Sequence, residues 1–525
     1  MKALSSVRSP KTLGFLLGLC GFLVVLVAPT FSAFAVVARS AVLAAGSSLD
    51  PTALASSMQV VLALLLLMVV WWITEAVPLP VTALLPAILL PLLHVVGLQG
   101  ASVVEFTGKY TLSHYAHPVI YLFLGGFLLA AAMQKWGLDR RLTLWMLTRG
   151  NLANSPAATL LAVMSVTAFL SMWISNTATA AMMLPLGLGI LSAMGSGSPR
   201  YRTALMLGIA WAASIGGVGT VIGTPPNAIA LGILQSTFAG DPAFHRITFL
   251  DWLSFGIPFV VVMIPVAWFV LVLVSKAPFS ATGNVRDMLL RERERMGSLS
   301  AGERGTIGVF LLAVVSWISN PFWNTLFPSG LARQLVWIDE FNIGLAAGVL
   351  LFLIPVDLKN RVFLLDWKDT VFVDWGTLLL FGGGIALSDA MFRCGLATWL
   401  GTAFTGVIGS PSPIVMIFCV VAFLGLLTEV TSNTAVTTMM VPVVISLAIR
   451  SGSDPATLAV AAAVGASMAF MLPVATPPNA LVYATGHVTV RDMVKYGFAL
   501  EVLGWFLTVG ILLVFADWMF GVLRF

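Results

Sequence analysis

Two short polar stretches interrupt an otherwise apolar chain. Ser175-Asn176-Thr177 lies in ISNTATAAMMLP, and Ser432-Asn433-Thr434 lies in TSNTAVTTMMVP. Each tripeptide comes eight residues before a proline. Hydroxyls and amides of this kind supply oxygens and an N–H donor without a full charge. They suit an ion or an oxyanion that must also be released. A second pair follows in the same order, GTPPNAIA over 223–230 and ATPPNALV over 475–482. Two consecutive prolines remove two backbone donors and break a helix. A single Ser-Asn-Thr is more often a helix cap or a polar contact between helices. Two copies, each followed by a Thr-Pro-Pro-Asn break, reverse that preference, because paired interruptions in corresponding positions mark transporter binding sites.

The elements that carry these motifs follow from composition. Of 525 residues, 59% are hydrophobic and 9% charged, and the mean hydropathy is +1.00. A soluble domain carries roughly 25% charged residues, so lipid is the expected solvent. Stretches near 12–36, 57–77, 79–98, 117–135, 203–235, 252–275, 305–327, 341–356, 375–393, 456–486 and 498–522 reach the length of about 20 residues that a crossing needs. The segments 154–192 and 411–448 are broken at Ser-Asn-Thr and read as re-entrant hairpins. The fold class is therefore an all-α polytopic membrane protein with about eleven transmembrane helices and two hairpins. With the N-terminus inside, 20 of the 27 Lys and Arg fall on the cytoplasmic side, which places the C-terminus on the opposite side. The +5 net charge follows the same rule and asks for no nucleic acid.

Three blocks recur in order. FLGGFLLAAAMQKWGL (123–138) aligns with FGGGIALSDAMFRCGL (381–396), shifted by 258; Ser-Asn-Thr returns shifted by 257 and Thr-Pro-Pro-Asn by 252. This argues for duplication. Five full spans per repeat would insert the second copy upside down, so that loops at Asn154 and Ser410 open on opposite faces. Each hairpin tip would then face a broken span. Half-helix N-termini there suit an anion, and half-helix C-termini with unwound carbonyls suit a small cation.

Other polar residues read as structural. Glu75 in WWITEAVPLP caps a turn, while Asp389 and Lys135 sit near span ends, where snorkelling is expected. Glu429, three residues before Ser432, is an ionisable group at depth and a functional candidate. Its counterpart Met172 is apolar, which favours a structural role. KWGLDRRLTLWMLTRG (135–150) reads as an interfacial amphipathic helix, with Trp136, Leu142, Trp145 and Met146 on one face and Arg140, Arg141 and Arg149 in water. RERERM (291–296) reads as a solvated loop. Cys20, Cys394 and Cys419 lie far apart and form no disulfide framework. The N-terminal stretch has features of a cleavable signal, but an uncleaved first span is expected.

The paired Ser-Asn-Thr tips, the Thr-Pro-Pro-Asn breaks and WITEAVPLPVTALLP (72–86) resemble the divalent anion/sodium symporter family, the INDY-type di- and tricarboxylate transporters. The resemblance covers nearly the whole chain. It implies a homodimer in the plasma or cytoplasmic membrane and an elevator mechanism. Scaffold parts would be 1–150 and 277–408, and transport parts 151–276 and 409–525. Sodium ions would be the coupling ions, with no organic cofactor. The first sodium site would use Ser171, Ser175, Asn176 and Gly223, and the second Thr428, Ser432, Asn433 and Ala475. Substrate would meet Asn176, Thr177, Thr224, Pro225, Asn433, Thr434, Thr476 and Pro477. The expected substrates are succinate, malate, fumarate or citrate.

A sodium-independent exchanger or a sulfate transporter on the same fold is the nearest rival. An exchanger could replace sodium with a fixed cationic side chain, and neither motif holds Lys or Arg. A channel would need a continuous polar path. An enzyme would need a nucleophile or an acid–base set, and the sequence offers no such arrangement, so no enzymatic activity is expected.

Overall fold

The computed structural model describes residues 10–149, 155–194, 198–241, 244, 246–275, 285–335, 337–409 and 411–520. Asn154 and Ser410, the two expected loop positions, lie outside the described residues. The chain is helical almost throughout. Two small antiparallel ribbons, Val96–Gln99 with Ser102–Glu105 and Pro355–Asp357 with Val362–Phe363, add to the all-α expectation.

Among the described residues, eight helices are long and apolar enough to cross a membrane, or up to ten if each bent pair is one span. Two of the eight, Asn176–Ala193 and Asn433–Ser451, are second arms of hairpins. Helices of that length and hydropathy alone do not reach the expected eleven crossings. The expected span 12–36 is two helices, Pro10–Val27 and Ser32–Ala45, bent by 64°. Pro29 lacks the N–H that would continue the first helix. The Gln59 side-chain amide bridges the gap: its Nε2 donates to the carbonyls of Val25 and Ala28, both at 2.7 Å. The expected span 79–98 is likewise divided into Leu79–Thr82 and Leu85–Leu92 and ends in the first ribbon. Pro78, Pro80, Pro86 and Pro91 account for its short turns.

The element order then repeats. A span (Pro118–Lys135) leads through a connecting helix (Leu138–Leu147) to a hairpin (Pro156–Ser171, Asn176–Ala193). A broken pair follows (Pro199–Gly217, Pro225–Thr237), then a long helix (Phe249–Ser275). The second series runs Trp375–Cys394, Leu396–Ile408, Pro413–Thr428 with Asn433–Ser451, Pro455–Ala466 with Pro477–Ala484, and Val490–Phe520. In each series the hairpin packs against the first helix of the broken pair, and the two long last helices pack on each other. Pro118–Lys135 lies against Glu340–Leu353 so closely that a Cβ on Gly125 would collide with the Gly344 carbonyl.

Four surface expectations are corrected. Asp389 is buried rather than snorkelling: Arg393 Nε donates to its Oδ1 at 2.7 Å, and Tyr110 Oη donates to its Oδ2 at 2.7 Å. Lys135 pairs with Asp369 at 2.7 Å instead of reaching for water. The connecting helix buries Leu144 and Leu147, while Trp145 stays exposed beneath the Arg149 guanidinium. Arg140 binds Glu292 at 2.7 Å and Arg141 binds Glu303, so this helix is latched to Val285–Arg295 and to the start of Ala301–Ser319. RERERM is correspondingly the end of a helix rather than a loop.

Candidate functional site

Each hairpin turns at its Ser-Asn-Thr. In the first, the arm Pro156–Ser171 stops and Ser175 opens the next arm, its hydroxyl oxygen accepting from the Ala178 N–H at 3.3 Å. In the second, Ser432 opens Asn433–Ser451 without a side-chain cap. The broken pairs separate at 218–224 and 467–476. Thr476 caps Pro477–Ala484 by accepting from the Asn479 N–H at 3.3 Å, whereas Thr224 leaves Pro225–Thr237 uncapped.

The asparagines of Thr-Pro-Pro-Asn hold these breaks open. Asn227 Nδ2 donates to the carbonyls of Gly217 at 3.0 Å and Thr220 at 2.7 Å. Asn479 Nδ2 donates to Ala469 and Leu472, both at 3.0 Å. All three positions correspond under the 252-residue shift of the motif. Both asparagines are fully buried. Each satisfies carbonyls that lose their helical donors where the helix stops.

Tips and breaks converge on one cavity of 990 Å³. Its wall includes Ser175, Asn176, Thr177, Gly223, Thr224 and Pro225 from the first series, and Ser432, Asn433, Thr434, Ala475, Thr476 and Pro477 from the second. The structure thus brings together twelve of the fourteen residues singled out from sequence. Ser171 and Thr428, the remaining two, are buried behind the tips. Glu75 and Asp374 are the ionisable residues on the cavity wall; no Lys, Arg or His lines it among the described residues. Glu75 also ends the helix Pro51–Thr74 in a left-handed conformation, as a turn cap should.

Behind each tip, three oxygens meet. The Ser171 hydroxyl lies 2.8 Å from Asn176 Oδ1 and 2.7 Å from the Ala213 carbonyl oxygen. The Thr428 hydroxyl lies 2.6 Å from Asn433 Oδ1 and 2.9 Å from the Ala466 carbonyl oxygen. A hydroxyl carries one hydrogen, so each cluster is richer in acceptors than in donors. Ala466 ends its half-helix and Ala213 lies about one turn before the end of its own, toward the negative end of the helix dipole. Hard cations such as calcium and magnesium take ligands of this type. Neither alanine was singled out from sequence, because a backbone carbonyl leaves no trace in residue type. The only available signal was the general rule that half-helix C-termini face cations.

Beside the tips, one ionisable residue sets the two series apart. Glu429 Oε1 accepts from the N–H groups of Phe470 at 2.6 Å and Met471 at 2.7 Å, and Oε2 accepts from Leu472 at 2.8 Å. It therefore closes the second break. Met172 offers its backbone instead: the Thr220 hydroxyl donates to the Met172 carbonyl at 2.5 Å.

Comparison with known proteins places this arrangement. Residues 30–522 match the family described as the sodium:sulfate symporter transmembrane region. The chain is 37% identical over 457 residues to the sodium-dependent dicarboxylate transporter SdcS of Staphylococcus saprophyticus subsp. saprophyticus, covering 84% of this chain and 83% of that protein. It is 34% identical over 453 residues to SdcS of Staphylococcus aureus, covering 83% and 82%. Among solved structures it resembles the Alcanivorax borkumensis YdaH transporter, with a TM-score of 0.53 at 13% identity over 86% of this chain and 99% of the other. Neisseria gonorrhoeae MtrF gives a TM-score of 0.56 at 14% identity, over 86% and 96%. At those identities the two structures bear on the fold alone, that of a helical membrane transporter.

Proposed function

This chain belongs to the sodium:sulfate symporter family, and on that premise we propose that it is a sodium-coupled symporter of di- or tricarboxylates such as succinate, malate, fumarate or citrate. The carrying observation is the charge of the cavity wall: two acidic side chains, neutral oxygens and amides, and no fixed cation among the described residues. A dianion entering such a cavity needs positive charge, because an isolated buried charge has a large desolvation penalty. Two sodium ions carried with the substrate supply it. The SdcS relatives, sodium-dependent dicarboxylate transporters by name, support the same ion and the same substrate class.

In this reading the first sodium is held by Ser171, Ser175, Asn176 and the Gly223 backbone, with the Ala213 carbonyl added to the expected set. The second is held by Thr428, Ser432, Asn433 and the Ala475 backbone, with the Ala466 carbonyl. Each asparagine spans two tasks. Its Oδ1 lies on the cation cluster, and its amide borders the cavity where, with Thr177 and Thr434, it meets a carboxylate. Thr224, Pro225, Thr476 and Pro477 shape the rest of the pocket. The protein works as a homodimer in the plasma or cytoplasmic membrane, with the N-terminus in the cytoplasm and the C-terminus opposite. Residues 151–276 and 409–525 move as an elevator against a scaffold of 1–150 and 277–408. The latch of Arg140 and Arg141 onto the second scaffold part supports assigning the connecting helix to the static side.

The test is uptake into proteoliposomes with and without an inward sodium gradient. Concentrative dicarboxylate uptake that requires sodium is expected. Uptake that ignores sodium and requires internal dicarboxylate would replace symport by exchange. Uptake of sulfate with no response to dicarboxylates would move the substrate assignment to the other anion of the family's description.

A further inference from the structure

A second cavity, of 850 Å³, shares no wall residue with the first. Three helices border it: the connecting helix Leu138–Leu147, the second arm of the first hairpin, Asn176–Ala193, and Val285–Arg295. The first two touch where the Thr143 hydroxyl lies 3.7 Å from Met182 Sδ.

The charged residues on its wall are Arg140, Arg291 and Glu292. Glu292 is already engaged on both oxygens. Arg140 Nη2 donates to its Oε2 at 2.7 Å, and Arg295 Nη1 donates to its Oε1 at 2.8 Å. Arg291 donates through Nε to the Asp287 carbonyl at 3.3 Å and has no carboxylate partner among the described residues. Asp139, Asp287 and Glu294, on the same helices, do not line the cavity. The wall therefore has an excess of positive charge, centred on Arg291.

The rest of the wall is mostly apolar, with Met182, Leu186 and Met288 as its long side chains. Gly189 keeps it open: a Cβ there would have Met288 Cε as its nearest side-chain neighbour, 3.8 Å away. The hairpin arm on this wall has only 33% of its residues buried, and Leu188 on it is exposed. The apolar wall and a lipid-facing surface thus belong to one helix. In the orientation proposed above this face is cytoplasmic, the side where basic pockets between helices take anionic headgroups.

These features choose among occupants. A small soluble anion would leave the apolar wall in contact with water. A zwitterionic lipid brings its own cation and would leave Arg291 uncompensated. We propose that this cavity binds an anionic phospholipid, its phosphate at Arg291 and Arg140 and an acyl chain against Met182, Leu186 and Met288. The lipid sits between the helix latched to Glu292 and Glu303 and the hairpin whose tip lines the first cavity.

Native mass spectrometry of the purified protein tests this, with dioleoyl phosphatidylglycerol and dioleoyl phosphatidylcholine offered at equal concentration. The protein should retain phosphatidylglycerol at an activation that strips phosphatidylcholine. Arg291→Gln should lower the affinity for phosphatidylglycerol about fivefold, the scale of one arginine beside an anionic lipid, and Arg291→Lys should keep most of it. Gly189→Leu leaves every charge in place but fills the cavity, and it should weaken binding at least as much. Excess inorganic phosphate should not displace the lipid. Equal retention of the two lipids would overturn the proposal, as would parent-like binding by Arg291→Gln or by Gly189→Leu. Displacement by phosphate would mean an anion site with no place for a chain, and it would overturn the proposal too. If Gly189→Leu fails to fold, the arginine variants and the lipid pair decide. The readout requires no transport, so its failure is separate from failure of the sodium reading.

Discussion

The break after Gly217 and the break after Ala466 precede the same Thr-Pro-Pro-Asn motif, yet they are held by different means. GGVGTVIGTPPN closes largely on itself: Val218, Gly219 and Gly223 donate to the carbonyls of Ile215, Gly216 and Thr220. Glycines permit these tight turns, and Gly217 approaches Asn176 so closely that a Cβ there would collide with Oδ1. AFMLPVATPPN has no glycine. Its N–H groups at Phe470, Met471 and Leu472 have no turn to close, so the Glu429 carboxylate takes them. Ala469, which stands where Gly217 does, carries the Cβ that the first break cannot accept. The capping is reversed as well, with Ser175 capping in the first series and Thr476 in the second. The two oxygen clusters are thus alike while the supports behind them differ. Backbone satisfaction can be met in more than one way.

The largest expected effect tests what the two series share. Asn176→Ala and Asn433→Ala should each lower uptake by at least about 100-fold, the scale of losing a group that serves two charged partners. Saturating sodium should not restore either. Full rescue of one variant by sodium would show that its asparagine serves the cation alone and that the series differ at the site itself.

Glu429→Met imposes the first series' residue on the second. Three buried N–H groups lose a charged acceptor, so stability should fall by about 3 kcal/mol or more. The thermal midpoint of the purified protein reads this, with Met172→Leu as a control expected to change it little. An unchanged midpoint in Glu429→Met would mean that the second break can also close on itself.

Losing one hydroxyl behind a tip should be milder. Ser171→Ala and Thr428→Ala should raise the half-saturating sodium concentration about tenfold, with much of the rate restored at high sodium. Substrate affinity should weaken with it through linkage. Gly217→Ala should act in the same direction on the first cluster, while Ala469→Gly on the second should have less effect. If the two substitutions act alike, the asymmetric packing against Asn176 has no functional weight.

The smallest effect concerns the caps. Ser175→Ala should cost about 1 kcal/mol of stability. Ser432→Ala removes no side-chain cap and should cost little. Equal losses in thermal midpoint would erase the proposed reversal of capping.

Much of the site was legible because it is built from side chains at fixed spacing. The doubled Ser-Asn-Thr and Thr-Pro-Pro-Asn motifs named the tips and the breaks. Polar residues and prolines inside apolar runs have few structural explanations when they recur in order. The hairpins and broken spans fell where those motifs placed them. The apolar stretches misled where proline was underweighted, as at Pro29 and through 78–91, because hydropathy counts residues and ignores missing backbone donors. They also misled for Asp389 and Lys135, whose partners lie far away in sequence or on another element.

By itself the sequence determined the solvent, the repeat and the polar residues that meet at the cavity. Composition, order and residue type are local properties, and each was present before folding. Only the tertiary structure decided that the carbonyls of Ala213 and Ala466 complete the oxygen clusters. It alone turned Glu429 toward three N–H groups. A backbone carbonyl belongs to every residue, and a carboxyl's role depends on which donors the fold brings within about 3 Å.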